Sequence, residues 1–566
     1  MNEKDTVLAA EASSKMLVRD VSPRTGGRIL VDALVVHGVD RIFCVPGESY
    51  LDVLDALYDV PQIQLVVAKH EGAAANMAEA DGKLTGRPGV CFVTRGPGAT
   101  HASVGIHTAY QDSTPMVLFV GQVGTTIRGR EAFQEIEHRQ MFAPITKWVA
   151  EIESAEQIPE YVLRAFKCAT SGRPGPVVLS LPEDVLGKSV SVQDTAPFVP
   201  DQSSPQSAEI KKFHEILNRA RRPIMILGGS GWTAEACASI ERFAESNSLA
   251  VATSFRRQDL FDNRHLCYVG HLGLGPSSKL INLVKDSDLI IALGTRLGDI
   301  ATSGYTVLKP PRLTQTLVHV HSDAAELGRV FQADLMVHAT PSNFSLALGD
   351  LERVGNPVWL ERTQQGHKDY LEFSGPVKGP SQGVDLAAVI RQLSERLPAD
   401  AIITNGAGNY TAWVHRFYKY KKARTELAPT SGAMGYGLPA AIAAKLRHPE
   451  RTVVCFAGDG CFLMYPQELA TSSQFGAAII VLLVNNGIYG TIRMHQEKRF
   501  PGRVSGTNIL DPDFVALAKS FGAHAEKIEA TDAFAEAFDR AIESRKLCLL
   551  ELRTDWSQIT PDRRLV

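Results

Sequence analysis

The chain has 566 residues, which at roughly 100 to 200 residues per domain allows three to five domains with cores of their own. Hydrophobic residues make up 44% and charged residues 21%, with 46 glycines and 30 prolines, a globular composition that excludes collagen-like, disordered and low-complexity classes. A formal net charge of −3 without a long basic run gives nucleic acid no electrostatic footprint to bind.

The eight cysteines stand singly at 44, 91, 168, 237, 267, 455, 461 and 548. None forms the CxxC pair of a zinc or redox site, so a reduced, cytoplasmic protein is expected. No apolar run approaches the ~18 residues of a membrane span, and no membrane partner is expected. Charged residues interrupt the first twenty positions at Glu3, Lys4, Asp5, Glu11, Lys15, Arg19 and Asp20, leaving no signal-peptide core.

From Gly26 the chain alternates helical and strand-like runs. Ile29, Leu30, Ala33 and Leu34 recur at helical spacing and stop at Gly38, and RIFCVPG then reads as a strand ending in a Pro-Gly turn. Strand-like runs follow at 64–68, 89–94 and 115–121, as expected for a mainly parallel, doubly wound α/β sheet covered on both faces. The Pro/Ser/Gln-rich stretch SVQDTAPFVPDQSSPQS (191–207) reads as a linker. A second α/β rhythm runs through PIMILGGSG, LAVATS, DLIIALGTR and TLVHVHSD, and the polar, Gly- and Pro-punctuated residues 355–381 suggest another boundary. A third runs through AIITNGAG, TVVCFAGDG, AAIIVLLVNN and LCLLELR. The expected domains are 20–190, 205–354 and 380–555, and the first and third are candidates for a shared topology.

The chemistry concentrates in the third. There an apolar run ends in Gly458-Asp459-Gly460, and a second ends in Asn485-Asn486, so that Asn486 lies 27 residues after Asp459, the length of one strand-helix-strand crossover. Both polar ends then emerge at the carboxyl edge of the sheet, where open α/β sheets bind ligands. A carboxylate and an amide oxygen converging there suit Mg²⁺, a hard cation that shares its shell with water and phosphate oxygens. The glycines and the following helix start would admit a diphosphate. Read singly, each motif is an ordinary turn; their joint placement favours a site.

GDG followed by NN at this distance resembles the metal-diphosphate signature of thiamin diphosphate enzymes. The resemblance implies that Asp459, Asn486 and the carbonyl of Ile488 bind Mg²⁺, with Gly458, Gly460, Cys461, Tyr489 and Gly490 beside the cofactor. It further implies that Glu71, in AKHEGAAANMAEADGKLTGRPGV, exchanges a proton with the cofactor's aminopyrimidine ring. Pro46 and Gly47 in FCVPGES, together with TRGPGATH and DSTPMVLFVGQV, match active-site loops. Gly432 and Met434 in GAMGYGLPAAIAA match the stretch that bends the cofactor, and Gly408, Asn409 and Tyr410 match residues that touch the diphosphate. The correspondence runs from about Arg24 to Arg553, in the order pyrimidine-binding, central and diphosphate-binding domain, and implies a homodimer or homotetramer with active sites at the subunit interface.

Within that superfamily the chain most resembles acetolactate synthase large subunits. REAFQEIEHRQMFAPITKW (130–148) resembles their substrate-facing loop, with Phe133, Gln134, Glu135 and Lys147 at matching positions, and Gln122 matches an active-site glutamine. The implied reaction decarboxylates a 2-oxo acid such as pyruvate and couples the resulting enamine to a second 2-oxo acid or aldehyde. The His-His pair of pyruvate decarboxylases is absent, and Arg95 stands where benzoylformate decarboxylases place a His. Pyruvate oxidases share the FQE loop, and a 2-oxo acid decarboxylase or pyruvate oxidase-like enzyme of the same superfamily remains an alternative, as does a cofactor-binding scaffold without turnover, although retention of Glu71 disfavours the scaffold.

Two departures bear on substrate and cofactor. His495 stands where acetolactate synthases carry a Trp that selects the second 2-oxo acid, and it reads either as an acceptor-pocket residue or as a surface histidine. Arg493 nearby is a candidate for a substrate carboxylate. In the middle domain, residues 269–277 and 292–305 only partly resemble the FAD-binding stretches of biosynthetic acetolactate synthases, and LGGSGW (227–232) is a lone Gly-rich turn. A structural middle domain is preferred there over an FAD site.

Overall fold

The computed structural model describes residues 22–200, 202–355 and 357–565; the first twenty residues, read above for an export signal, lie outside them. The chain divides into two compact units, residues 1–201 and 202–566.

The first unit is built on strands β1 (Arg41–Cys44), β2 (Gln64–Val67), β3 (Gly89–Val93), β4 (Met116–Gln122), β5 (Trp148–Glu151) and β6 (Pro176–Pro182). They form one parallel sheet in the order β2-β1-β3-β4-β6-β5. The central strands β3, β4 and β6 are buried at every position, and each large apolar side chain so buried contributes about 1.5–3 kcal/mol. Helix α1 (Glu71–Thr85) follows β2, and α2 (Gly96–Asp112) follows β3. The two helices approach so closely that a Cβ on Gly105 would lie 2.5 Å from the Cβ of Ala75.

The second unit carries two further parallel sheets of six strands. The central one contains β7 (Pro223–Leu227), β8 (Ala250–Ser254), β9 (Tyr268–Leu272), β10 (Leu289–Leu293), β11 (Thr316–His321) and β12 (Leu335–His338), ordered β9-β8-β7-β10-β11-β12. Residues 355–381, read above as a boundary segment, contain a helix, α3 (Leu360–Phe373). Its buried residues Thr363, Gly366, His367 and Tyr370 repeat at i, i+3, i+4 and i+7, a core-facing stripe made of residue types that hide it from a hydropathy reading. His367 Nδ1 is bonded to the Tyr268 carbonyl at 2.8 Å, which fixes the helix to β9.

The other sheet contains β13 (Ile402–Asn405), β14 (Glu426–Leu427), β15 (Val453–Gly458), β16 (Ile480–Asn485), β17 (His524–Ile528) and β18 (Cys548–Arg553), ordered β14-β13-β15-β16-β18-β17. This is the strand order of the first unit, so the anticipated shared topology is present. In both sheets the chain leaves strands one and three in opposite directions, which opens a crevice at their carboxyl ends. Helices α4 (Tyr410–Phe417), α5 (Gly437–Arg447), α6 (Asp459–Phe462) and α7 (Gly490–Arg499) frame that crevice in the second unit. Among the described residues no helix is long and apolar enough to cross a membrane.

Candidate active site

The carboxyl ends of β13, β14, β15 and β16 enclose a cavity of about 440 Å³, within the ~300–1,000 Å³ range of small-molecule sites. Every position of the second unit that sequence pointed to as cofactor- or metal-binding lines it: Gly408, Asn409 and Tyr410 after β13, Gly432 and Met434 after β14, Gly458 to Cys461 at the end of β15, and Asn486, Ile488, Tyr489 and Gly490 after β16.

Asp459 is buried at 4% exposure. Its Oδ1 accepts from the Gly460 N–H at 2.8 Å and its Oδ2 from the Gly487 N–H at 2.7 Å. Burial nevertheless pushes its carboxyl up to about 6, against the lowering effect of these backbone donors. Asn486 Oδ1 accepts from the Ile488 N–H at 3.2 Å, and the Ile488 carbonyl accepts from the Gly490 N–H at 2.9 Å. Each of these oxygens keeps an unused lone pair.

The local reasons for the glycines and polar residues differ from the sequence reading. A Cβ on Gly460 would lie 2.5 Å from the Tyr489 ring, and one on Gly458 would lie 3.0 Å from the Tyr410 ring, so both glycines make room for aromatic walls. Helix α6 is four residues long, which gives a single turn little dipole to offer a diphosphate. The Tyr410 hydroxyl accepts from the Gly406 N–H at 3.0 Å and donates to Cys461 Sγ at 3.4 Å. Asn409 spends both ends of its amide on the protein, donating to the Ile559 carbonyl at 2.7 Å and accepting from the Thr491 hydroxyl at 2.7 Å, which ties α7 and the C-terminal segment to the cavity. Met434 is half-buried against the core of this sheet. His495 is exposed on α7 and is not among the residues lining the cavity, and Arg493 pairs with Glu497 at 3.1 Å.

In the first unit the carboxyl edge gathers most of its expected residues. Gly47 after β1 packs on Thr94 after β3, where a Cβ would meet the Thr94 side chain at 2.5 Å; Pro46 beside it is exposed. Glu71 opens α1 with its side chain at 14% exposure, and its Oε2 lies 2.8 Å from His101 Nδ1. Gln122, at the end of β4, is fully buried and donates to the Ile136 carbonyl at 2.9 Å while accepting from the Val123 N–H at 2.9 Å. The Gln134 carbonyl accepts from the Gly96 N–H at 2.9 Å. The Gln122–Ile136 and Gly96–Gln134 bonds hold the chain just after Phe133, which is 73% exposed. Two backbone N–H groups, those of Gly129 and Ala132, hold the Glu135 carboxyl below its usual range. Lys147 precedes β5 and so lies at the opposite, amino edge, its ammonium bonded to the Ser171 carbonyl at 2.5 Å. It is not brought together with Glu71 within this unit.

Three family models match in succession: the N-terminal TPP binding domain of thiamine pyrophosphate enzymes over residues 24–141, their central domain over 210–348, and their C-terminal TPP binding domain over 406–552. The chain is 33% identical to a probable acetolactate synthase large subunit of Methanocaldococcus jannaschii, over 95% of this chain and 93% of that protein. It is 34% identical to the acetolactate synthase large subunit of Parasynechococcus marenigrum, over 90% of this chain and 84% of that protein. It is 30% identical to the acetolactate synthase isozyme 2 large subunit of Escherichia coli, over 95% and 97% respectively. The chain belongs to the thiamine pyrophosphate enzyme family.

The donor set fits what a thiamine pyrophosphate enzyme has to hold. A buried carboxylate, an amide oxygen and a main-chain carbonyl are hard oxygen ligands suited to Mg²⁺, and the raised Asp459 carboxyl is a buried charge that a cation would satisfy. Sequence reasoning missed the central sheet's contribution to this wall: Phe255 and Arg256 after β8, Leu274 after β9 and Ile300 after β10 also line the cavity, as does His415 of α4. Leu274 and Ile300 fall inside the two stretches singled out for their partial FAD resemblance. Arg256 was legible only as an arginine just past a strand. The Gly-rich turn after β7 is packed by Trp232, whose indole N–H donates to the Gly228 carbonyl at 2.9 Å.

Proposed function

We propose that this protein is a thiamin diphosphate- and Mg²⁺-dependent carboligase that decarboxylates a pyruvate-like 2-oxo acid and joins the remaining fragment to a second 2-oxo acid or an aldehyde. The observation that carries the reading is the convergence of Asp459, Asn486 and Ile488 on one cavity with Met434 and Gly432, in a chain whose relatives are named acetolactate synthase large subunits.

Bound thiamin diphosphate would supply the acidic carbon and the electron sink that let a 2-oxo acid lose CO₂. Asp459, Asn486 and the Ile488 carbonyl would hold the Mg²⁺ that neutralises the diphosphate. Tyr410, Tyr489 and Met434 would give the cavity an apolar wall, which favours coupling, since a proton donor at the reacting centre would divert the reaction to a simple aldehyde. Glu71 would hold and exchange the proton of the aminopyrimidine ring. The domain assignment 20–190, 205–354 and 380–555 goes with this reading, as does an assembly of at least two subunits in which the first unit of one faces the third sheet of another. A cytoplasmic location accords with eight unpaired cysteines.

Pyruvate incubated with the protein, thiamin diphosphate and Mg²⁺ should yield acetolactate or another carbon–carbon coupled product. Acetaldehyde alone would indicate a decarboxylase, and acetyl phosphate an oxidase. Absence of any coupled product across a panel of 2-oxo acids and aldehydes would remove the carboligase reading.

A further inference from the structure

The Glu71 carboxylate has a built environment. His101, on α2, places Nδ1 at 2.8 Å from Glu71 Oε2, and its ring stacks on that of His70 with centroids 4.6 Å apart and planes 28° apart. His70 is fixed in turn, because its Nδ1 accepts from the Gly72 N–H at 3.0 Å, which leaves its proton on Nε2 in the neutral ring. Burial, then the neighbouring His101, holds the His70 imidazole below its usual range. The register has a structural cause. Glu71 and His101 each lie one helical turn before Ala75 and Gly105, the pair whose contact brings α1 and α2 together. A larger residue at 105 would part the helices and carry His101 away from Glu71.

We propose that His101 is the positioning residue for Glu71: its Nδ1–H donates to Oε2, sets the carboxyl's orientation and leaves Oε1 as the oxygen offered to the ring nitrogen of the bound cofactor. The inference rests on the reading of Glu71 given above. It assigns the two carboxyl oxygens different tasks, so that a proton exchanges at Oε1 without the side chain rotating. Stacking on His70 keeps the His101 ring edge-on to the carboxylate, although His101 itself is 53% exposed.

The test compares His101→Asn, whose amide nitrogen occupies the position of Nδ1, with His101→Leu, which keeps bulk and removes the donor. In holoenzyme with Mg²⁺, the rate of deuterium exchange at C2 of bound thiamin diphosphate is measured beside cofactor affinity and melting temperature. His101→Leu should slow exchange by about tenfold or more, the worth of one hydrogen bond to a charged group. Cofactor affinity should stay within about threefold, and His101→Asn should recover most of the rate, on the same scale. In cofactor-free protein labelled with ¹⁵N-histidine, the Nδ1 signal of His101 should move in Glu71→Ala. Exchange at the wild-type rate in His101→Leu, a fall in His101→Asn equal to that in His101→Leu, or an unmoved Nδ1 signal would each overturn the assignment. Glu71→Gln separates the two levels. If it leaves exchange intact, the role of Glu71 fails and His101 with it; if it slows exchange while His101→Leu does not, only the His101 assignment fails.

Discussion

Arg256, just past β8 of the central sheet, donates from Nη2 to the carbonyl oxygen of Gly406, just past β13 of the next sheet, at 2.9 Å. Its other terminal nitrogen donates to the Pro429 carbonyl, so one buried guanidinium holds two of the loops that rim the cavity. Arg256→Met would keep much of the packing and leave both carbonyls without this donor. Unfolding free energy should fall by about 2–4 kcal/mol, and cofactor affinity should fall with it. Denaturant titration and a binding isotherm read both quantities; wild-type stability in the variant would remove the clamp from the account.

Glu71 and Asp459 separate activation from binding. Glu71→Gln keeps the shape and one acceptor oxygen, and nothing in the proposed metal grip depends on it. Cofactor affinity should therefore stay within about tenfold (~1.4 kcal/mol), while turnover drops at least about a hundredfold. Steady-state kinetics with saturating cofactor decide the matter, and unchanged turnover would defeat the assigned role.

Asp459→Ala makes the complementary change. It removes the proposed metal carboxylate together with the acceptor for the Gly460 and Gly487 N–H groups. Mg²⁺-dependent cofactor binding should weaken by at least about a hundredfold (~2.7 kcal/mol). Chelation of Mg²⁺ in the wild-type protein should reproduce the loss reversibly. Tight binding by Asp459→Ala, followed by fluorescence titration with and without Mg²⁺, would place the metal elsewhere.

The strands that sequence revealed and those it hid divide by position in the sheet. Interior strands such as β3, β4, β15 and β16 are covered on both faces and read as continuous apolar runs. The strands not anticipated, β5, β9, β12, β14 and β17, lie at sheet edges, where half-exposed alternation as in HAEKI, or a length of two residues as in β14, leaves little signal; β9 is buried throughout, and there Gly270 and His271 break the apolar run. β6 is the exception: it is interior, but a proline at each end gives it the look of a loop. The site divides in a similar way. Residues directly after strands of the third sheet were legible because strand ends converge. The hydrogen bonds that engage Asn409, Tyr410 and Gln122, the central-sheet wall around Arg256, and the amino-edge placement of Lys147 depend on tertiary packing that no local pattern encodes.

Asp259 and Glu426 supply a pH dependence of their own. The two carboxyls are 3% and 2% exposed, and each accepts from backbone N–H groups of the other's segment across the joint between the central and third sheets. Asp259 Oδ2 accepts from the Thr425 N–H at 3.0 Å, and Glu426 Oε2 accepts from the Gln258 N–H at 2.7 Å. Burial, and after it the charge of Asp259, pushes the Glu426 carboxyl up to about 8, and burial raises Asp259 as well. Between the ordinary glutamate range near 4.5 and about 8 the folded protein therefore holds a proton that the unfolded chain releases. The resulting stability is complete below the lower value and is lost as pH rises through the upper one. Glu426→Gln keeps an acceptor for Gln258 and cannot ionise. From pH 5 to pH 8 the variant should gain stability relative to wild type by at least about 1.4 kcal/mol, the equivalent of one pKa unit. Unfolding curves at the two pH values measure the difference, and parallel behaviour of the two proteins would mean that the Glu426 proton does not couple to folding.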